Sequence, residues 1–182
     1  MIQLIQNLAK CDEKFFSGWI LAHARIVLDG KAVFYSNKLL SAAERRAVFS
    51  VTGTDENNIT RQSLKVLLLL PKATTGKISS KAEIKGSLLD MQKFSVRQIN
   101  EYIALSGDKN IIHQRVRPIV PGLMMVLYLY DFFRSQSDWN IRFLNPVYAD
   151  DEVFFYRQDN GVNAYVNNKL VLTIKFKTGQ VN

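Results

Sequence analysis

The sequence is poor in cysteine, histidine and long apolar runs. Its 182 residues include one cysteine, Cys11, and two histidines. A single cysteine excludes a disulfide framework and a zinc site made of four cysteines. The longest uncharged apolar stretch, residues 119–130, is well short of the roughly 20 residues that a membrane-spanning helix needs. The first six residues carry no positive charge ahead of an apolar run, so we expect no secretion signal, a cytoplasmic location and no membrane partner.

The composition is that of a globular protein with a basic surface. Hydrophobic residues make up 47% of the chain and charged residues 22%, and the net charge is +8. Residues 1–85 hold 13 basic and 7 acidic residues, so most of the excess lies in the first half. A basic surface attracts anions in general. No nucleic-acid-binding motif accompanies the charge, so we expect no nucleic-acid partner. The length suits one large domain or two small ones.

The first half predicts a short N-terminal helix followed by an antiparallel meander. Residues 15–28 are apolar and rich in β-formers, and Asp29-Gly30 then predicts a hairpin turn. Residues 40–49 fit a helix or a strand, whereas residues 64–70 predict a buried strand. The polar segment 71–81, PKATTGKISSK, is the best candidate for a boundary. We therefore divide the chain into residues 1–81 and 82–182.

The second half has a clearer order. Ser95 is a plausible N-cap for a helix whose apolar face combines Val96, Ile99, Tyr102 and Ile103. A polar loop over residues 106–117 leads to an apolar segment, residues 123–130, which predicts a helix buried on every side. Four strands are predicted beyond it, at residues 139–144, 152–158, 162–166 and 170–177. A buried helix followed by an antiparallel meander indicates an α+β protein.

The loop after the first of these helices holds the best candidates for chemistry. His113 follows Asp108 by five residues and Asn110 by three. An imidazole and a carboxylate in one loop can hold a water molecule between them and accept its proton. The alternative is that Asp108 and Asn110 only form turns in a polar loop. The other histidine, His23, lies in an apolar strand, which favours a structural role.

Residues 94–113, FSVRQINEYIALSGDKNIIH, resemble the signature of MaoC-like (R)-specific enoyl-CoA hydratases. That signature is a short helix followed by Ala-Leu-Ser-Gly-Asp-x-Asn-Pro-aliphatic-His. The residues that match it are Ala104, Leu105, Ser106, Gly107, Asp108, Asn110, Ile112 and His113. Ile111 replaces the proline of the family. The resemblance implies a catalytic pair, Asp108 and His113, and a place for Ser106 and Asn110 in substrate binding.

The next segment resembles a second family, the FabZ-type β-hydroxyacyl-ACP dehydratases. Arg117-Pro118-Ile119-Val120-Pro121-Gly122 matches in residues and in spacing from the histidine. The acidic residue that the family carries in the following helix is replaced by Leu127. Asp108 must then supply the acid. This resemblance implies that Arg117 and Gly122 bind substrate, with the Gly122 N–H at the start of the buried helix as the donor to the thioester oxygen.

Both resemblances imply a hotdog fold, in which an antiparallel sheet wraps around a central helix. They imply reversible hydration of trans-2-enoyl thioesters, carried by CoA or by acyl carrier protein, with no metal and no cofactor of the protein's own. Residues 1–81 are expected to form a non-catalytic half, as in a double hotdog with one degenerate copy, and otherwise the protein is expected to pair as a homodimer.

Two other functions remain open from the sequence. The same aspartate and a water molecule can attack a thioester carbonyl, which is the reaction of a hotdog thioesterase. A non-catalytic module that binds acyl thioesters is the third possibility, because the loop proline is missing and the first half is atypical. The basic excess is expected to frame the entrance for the substrate's phosphates, with Arg115 and Arg117 contributing.

Overall fold

The computed structural model describes residues 1–11, 13–16, 18–71 and 83–177, which contain three α-helices and nine β-strands. The helices are α1 (Ile2–Leu8), α2 (Val96–Ser106) and α3 (Gly122–Tyr130). The strands are β1 (Ile20–Leu28), β2 (Phe34–Ala43), β3 (Arg46–Thr54), β4 (Thr60–Leu69), β5 (Ser87–Lys93), β6 (Asp138–Phe143), β7 (Glu152–Gln158), β8 (Gly161–Val166) and β9 (Lys169–Phe176). Short 3₁₀ turns occupy Glu13–Phe16 and Ile111–His113.

All nine strands belong to one antiparallel sheet. Their order is β2-β3-β4-β1-β6-β9-β8-β7-β5, so the two halves of the chain meet where β1 pairs with β6. Ile26 and Trp139 face each other across that junction, and neither side chain is exposed. The hydrophobic core therefore runs without a break from one half of the chain to the other.

The two halves repeat one strand order. Reading outward from the junction, the first half has β1, β4, β3 and β2, and the second half has β6, β9, β8 and β7. Within each of these sets of four strands, the strand at the junction comes first in the chain, and the next strand outward comes last. The second half adds β5 outside β7, whereas no strand covers β2 within the described residues. The proposed boundary segment 71–81 lies, except for Pro71, outside the described residues, so the two-domain division stays a prediction.

The helices form where the sequence predicts them. Ser95 and Gln98 form a capping box at the start of α2, and α2 buries Ile99 and Tyr102. Val96, predicted on the same face, is the first residue of the helix and is 43% exposed. In α3, the residues Leu123, Met125, Val126 and Leu129 are buried, and its other side chains are at least partly covered. The predicted α+β class is confirmed.

The predicted hairpin at Asp29-Gly30 is wrong. Strand β1 pairs with β4 on one side and β6 on the other, so both of its edges are already occupied. The chain after Asp29 instead crosses to the far edge of the sheet and begins β2. Residues 40–49, which fit either a helix or a strand, contain the true hairpin between β2 and β3, with Glu44-Arg45 as its turn. The four strands predicted in the second half are confirmed to within one residue.

Candidate active site

The loop between α2 and α3 begins at a helix stop. Gly107 adopts a left-handed conformation with φ 76° and ends α2, and this conformation favours glycine. The Ser106 hydroxyl accepts a hydrogen bond from the Asp108 N–H at 3.2 Å. The Asn110 N–H donates to Asp108 Oδ1 at 2.9 Å. One carboxylate oxygen of Asp108 is therefore held by the backbone, and the other, Oδ2, is available to the site.

The imidazole of His113 is oriented by the backbone on its other side. Its Nδ1 lies 2.6 Å from the carbonyl oxygen of Ile119. A carbonyl oxygen can only accept, so Nδ1 carries the hydrogen and donates it. Nε2 is then the acceptor of the neutral ring, and it lies 3.5 Å from Asp108 Oδ2. Two acceptors facing each other need a shared proton or a bridging water molecule between them.

His113 is more enclosed than the sequence suggested. Its side chain is 6% exposed, whereas that of Asp108 is 24% exposed. Burial and the bond to Ile119 make His113 part of the packed structure, because removing it would leave a partly buried carbonyl without a donor.

Asn110 connects the loop between α2 and α3 to the first half of the chain. Its Nδ2 donates to the carbonyl oxygen of Trp19 at 2.7 Å, and its Oδ1 accepts from Gly18 N–H at 3.4 Å. The same oxygen caps the 3₁₀ turn through the Ile112 N–H. The side chain is 8% exposed. Asn110 therefore fixes the position of the loop against a segment 91 residues earlier in the sequence.

A cavity of about 380 Å³ lies between the two halves and contains the candidate pair. Asp108, Asn110 and His113 are on its wall, and most of the remaining wall is apolar. The first half contributes Leu8, Cys11, Phe15, Trp19, Ile20, Leu21, Phe49, Leu68 and Pro71. The second half contributes Ile112, Ile119, Val120, Gly122, Leu123, Met125, Phe143, Leu144, Asn145, Pro146 and Val147. An apolar chamber with one cluster of polar groups suits a ligand with an alkyl chain and a reactive head.

The cavity opens at one end of the central strands. Four of its lining residues are exposed to solvent: Ile20, Pro71, Leu144 and Pro146. Ile20 begins β1, Pro71 lies just after the end of β4, and Leu144 follows β6. Because β1 runs antiparallel to both β4 and β6, these residues share one end of the sheet. We call this opening the mouth.

Gly122 is the first residue of α3 and lies on the cavity wall. The first N–H groups of a helix have no partner within the helix and carry partial positive charge. A Cβ at this position would come within 2.6 Å of the Phe143 ring. Only glycine therefore lets the start of α3 lie this close to that ring without a shift of either. Gly122 can therefore offer an N–H to a ligand oxygen in the cavity.

The structure brings some of the expected site residues together and leaves others apart. Asp108, Asn110, His113 and Gly122 share the cavity wall, whereas Ser106 is 1% exposed and lies behind Asp108. The Arg117 side chain is 68% exposed, lies 3.3 Å from Asp151 and is stacked on the Tyr148 ring, so it does not line the cavity. Their predicted roles in substrate binding stay predictions.

Sequence reasoning did not single out the first-half residues of the wall, because an apolar residue in a strand carries no signal of which cavity it lines. Cys11 is one of them, and burial raises the pKa of its thiol to about 11. Burial and the charge of Asp108 both raise the pKa of Tyr102 on α2.

Among the described residues, no three His, Cys, Asp or Glu side chains lie close enough together to hold a metal ion.

Comparison with known proteins identifies the fold. No protein-family model and no curated protein matches the sequence. Among solved structures, a MaoC-like dehydratase superposes with a TM-score of 0.69 at 11% identity, covering 96% of this chain and 82% of that one. The MaoC-like dehydratase from Phytophthora capsici gives 0.59 at 16% identity, covering 88% and 72%. An acyl-ACP thioesterase from Bacteroides thetaiotaomicron gives 0.57 at 10% identity, covering 87% and 76%.

These similarities show that the protein has the hotdog fold. The expected antiparallel sheet around a buried central helix is confirmed. The identities are too low to carry an activity from those proteins to this one. No helix of the described residues has both the length and the apolar character needed to cross a membrane.

Proposed function

We propose that this protein catalyses the reversible hydration of trans-2-enoyl thioesters, with Asp108 and His113 as the catalytic residues. The observation that carries the proposal is the pair itself. Two proton acceptors lie 3.5 Å apart on the wall of an apolar cavity, close to the start of a buried helix. The shared fold with MaoC-like dehydratases supports the same class of reaction.

The geometry suggests how water would add to the substrate. A water molecule between Asp108 Oδ2 and His113 Nε2 can donate one hydrogen to each, which leaves an oxygen lone pair free for C3 of the enoyl group. As the O–C3 bond forms, one of the pair takes a proton from the water, and the electrons of the double bond move toward the thioester oxygen. The N–H of Gly122 would stabilise the resulting enolate, and the captured proton then passes to C2. The reverse sequence removes water from a 3-hydroxyacyl thioester.

Crotonyl-CoA distinguishes the candidate functions in one experiment. Hydration removes the enoyl absorbance without releasing a thiol, whereas a thioesterase releases free CoA. The thioesterase alternative is kept because an acyl-ACP thioesterase has the same fold. If neither signal appears while crotonyl-CoA binds, the protein is a binding module and the proposal is wrong. This assay does not test the predicted pairing, as a double hotdog or as a homodimer, or the predicted cytoplasmic location.

A further inference from the structure

The side of the sheet that faces away from the helices carries aligned cations. In β1, Ala24 and Ile26 are buried, so Arg25 between them points to the outward side. Lys65 in β4 lies between buried Leu64 and Val66 and opposes Arg25 directly. Because opposed residues of an antiparallel pair share a face, the strand register shows which other side chains join them.

Three outward rows cross the middle of the sheet. The longest contains Lys38, Ser50, Lys65, Arg25, Asn140 and Lys175, on β2, β3, β4, β1, β6 and β9. The next contains Val48, Leu67, His23, Arg142 and Thr173. The third, at the end of the strands, contains Arg46, Leu69 and Ile20. None of these residues is acidic. We call the six cations Arg25, Lys38, Arg46, Lys65, Arg142 and Lys175 the basic face.

One acidic residue borders the basic face in the next row. Asp138 binds Arg25 through both carboxylate oxygens, at 3.2 and 2.8 Å. Asp138 therefore offsets one of the six cations, and the basic face keeps a net charge of +5. A surface on which cations outnumber anions this strongly steers polyanionic partners toward it.

The basic face adjoins the mouth of the cavity. Ile20 ends the third row and also lines the cavity where it meets solvent. Arg46 is two strands away from Ile20, which is roughly 10 Å across the sheet. Arg142 precedes exposed Leu144 by two residues, or roughly 7 Å along the strand. A partner bound to the basic face would therefore lie beside the entrance to the candidate active site.

We propose that the basic face is the docking surface for an acidic carrier protein that presents its acyl thioester to the mouth. This inference rests on the proposed function. The row from Lys38 to Lys175 crosses five strand spacings, or roughly 24 Å, which is much wider than the phosphates of a single CoA. The width matches an acidic protein surface, and the thioester chemistry favours a carrier over other polyanions.

The test compares one acyl group on two carriers. Hydration of a crotonyl group on an acidic acyl carrier protein and on CoA is measured for the wild type, Lys65→Glu and Arg46→Glu. We expect roughly a tenfold fall in kcat/KM for the carrier substrate in each variant, with turnover of crotonyl-CoA nearly unchanged. Added salt should weaken the wild-type reaction with the carrier substrate more than the reaction with crotonyl-CoA.

Arg97→Glu is the matched control, because it makes the same charge change on α2, on the helix side of the sheet, where the side chain is 88% exposed. The docking proposal is overturned if kcat/KM for the carrier substrate falls equally in all three variants. It is also overturned if a variant loses kcat/KM equally on the carrier substrate and on crotonyl-CoA. If the wild type hydrates neither substrate, direct titration with the carrier protein decides separately: salt-sensitive binding that Lys65→Glu weakens supports the surface, and its absence overturns it. If the protein binds polyuridylate RNA as tightly as it binds the carrier protein, the assignment of a carrier protein as the partner is overturned.

Discussion

The two halves of the chain share a strand order but differ in what they carry. The second half has two helices of 11 and 9 residues and the loop with Asp108 and His113. In the described part of the first half, the one α-helix is the seven-residue α1, on the inner side of the strands. Its one histidine, His23, faces outward and interacts with Asn140 at 2.8 Å. The strand order is thus repeated, whereas the candidate pair Asp108 and His113 belongs to the second half alone.

The outer edges of the halves also differ. Strand β7 is covered by β5, whereas β2 is the last strand of the sheet within the described residues, and nearly all of its side chains are exposed. A register shift between Leu39 and Ser41 and the charge of Lys38 both disfavour pairing with another strand. The first half therefore contributes part of the cavity wall, whereas the candidate pair on that wall belongs to the second half.

Asp108→Asn has the largest expected effect and tests whether the reactive groups belong to the second half. The substitution keeps the shape of the side chain and removes its ability to take a proton, so we expect kcat for crotonyl-CoA hydration to fall by about 100-fold or more. Asp159→Asn, at an exposed turn of the same half, should change kcat little. Retention of near-normal hydration by Asp108→Asn would remove this residue from the mechanism. His113→Ala is a poorer probe, because it should also lower the melting temperature.

The rate at which the Cys11 thiol is modified tests whether the first half lines the cavity. With its pKa raised to about 11, the thiol is almost entirely protonated at pH 8, and the thiolate is the form that reacts. We expect iodoacetamide to modify it about two orders of magnitude more slowly than an ordinary thiol of pKa about 8.5, with the rate rising as the pH approaches 11. Mass spectrometry follows this single cysteine directly. A long-chain acyl-CoA should slow the reaction further, and absence of protection would contradict the shared cavity.

Asn110→Ala breaks the connection between the halves. The loss of its buried hydrogen bonds should lower the free energy of unfolding by about 1–3 kcal/mol and the melting temperature by a few degrees. Because the loop that holds Asp108 and His113 is then less firmly positioned, we also expect kcat to fall roughly 30-fold. Asn163→Ala, on the outward side of β8, removes the same group from a half-buried position and serves as control. A lower melting temperature with unchanged kcat below the transition would show that the connection stabilises the fold without positioning the pair.

The smallest effect concerns substrate size. Leu68 faces the cavity, whereas its neighbour Leu67 lies in an outward row opposite His23. Leu68→Trp should lower kcat/KM for enoyl thioesters of ten or more carbons by roughly tenfold and leave crotonyl-CoA within about twofold. Leu67→Trp should alter neither. Equal effects on short and long chains would place the acyl group elsewhere in the cavity.

Local signals were sufficient for much of the second half. Ser95 predicts a helix start because an N-cap side chain binds a backbone N–H only three positions later. Strand-like segments joined by Asp, Asn and Gly turns predicted β6 to β9 to within one residue. Resemblance to known signatures singled out the loop that carries Asp108 and His113. The hairpin predicted at Asp29-Gly30 is wrong because a turn signal indicates local backbone preference and does not specify which strand edge is free for pairing.

The sequence by itself determined the α+β class, the start of α2, the bounds of α3 to within one residue, and the presence of an aspartate and a histidine in one loop. Only the tertiary structure decided that the pair lies in a chamber shared by both halves. The contact between Asn110 and the Trp19 carbonyl shows why: its acceptor is a backbone atom that every residue has, 91 positions away. Such contacts depend on how sheets and helices pack together, and packing brings together residues that no local pattern relates.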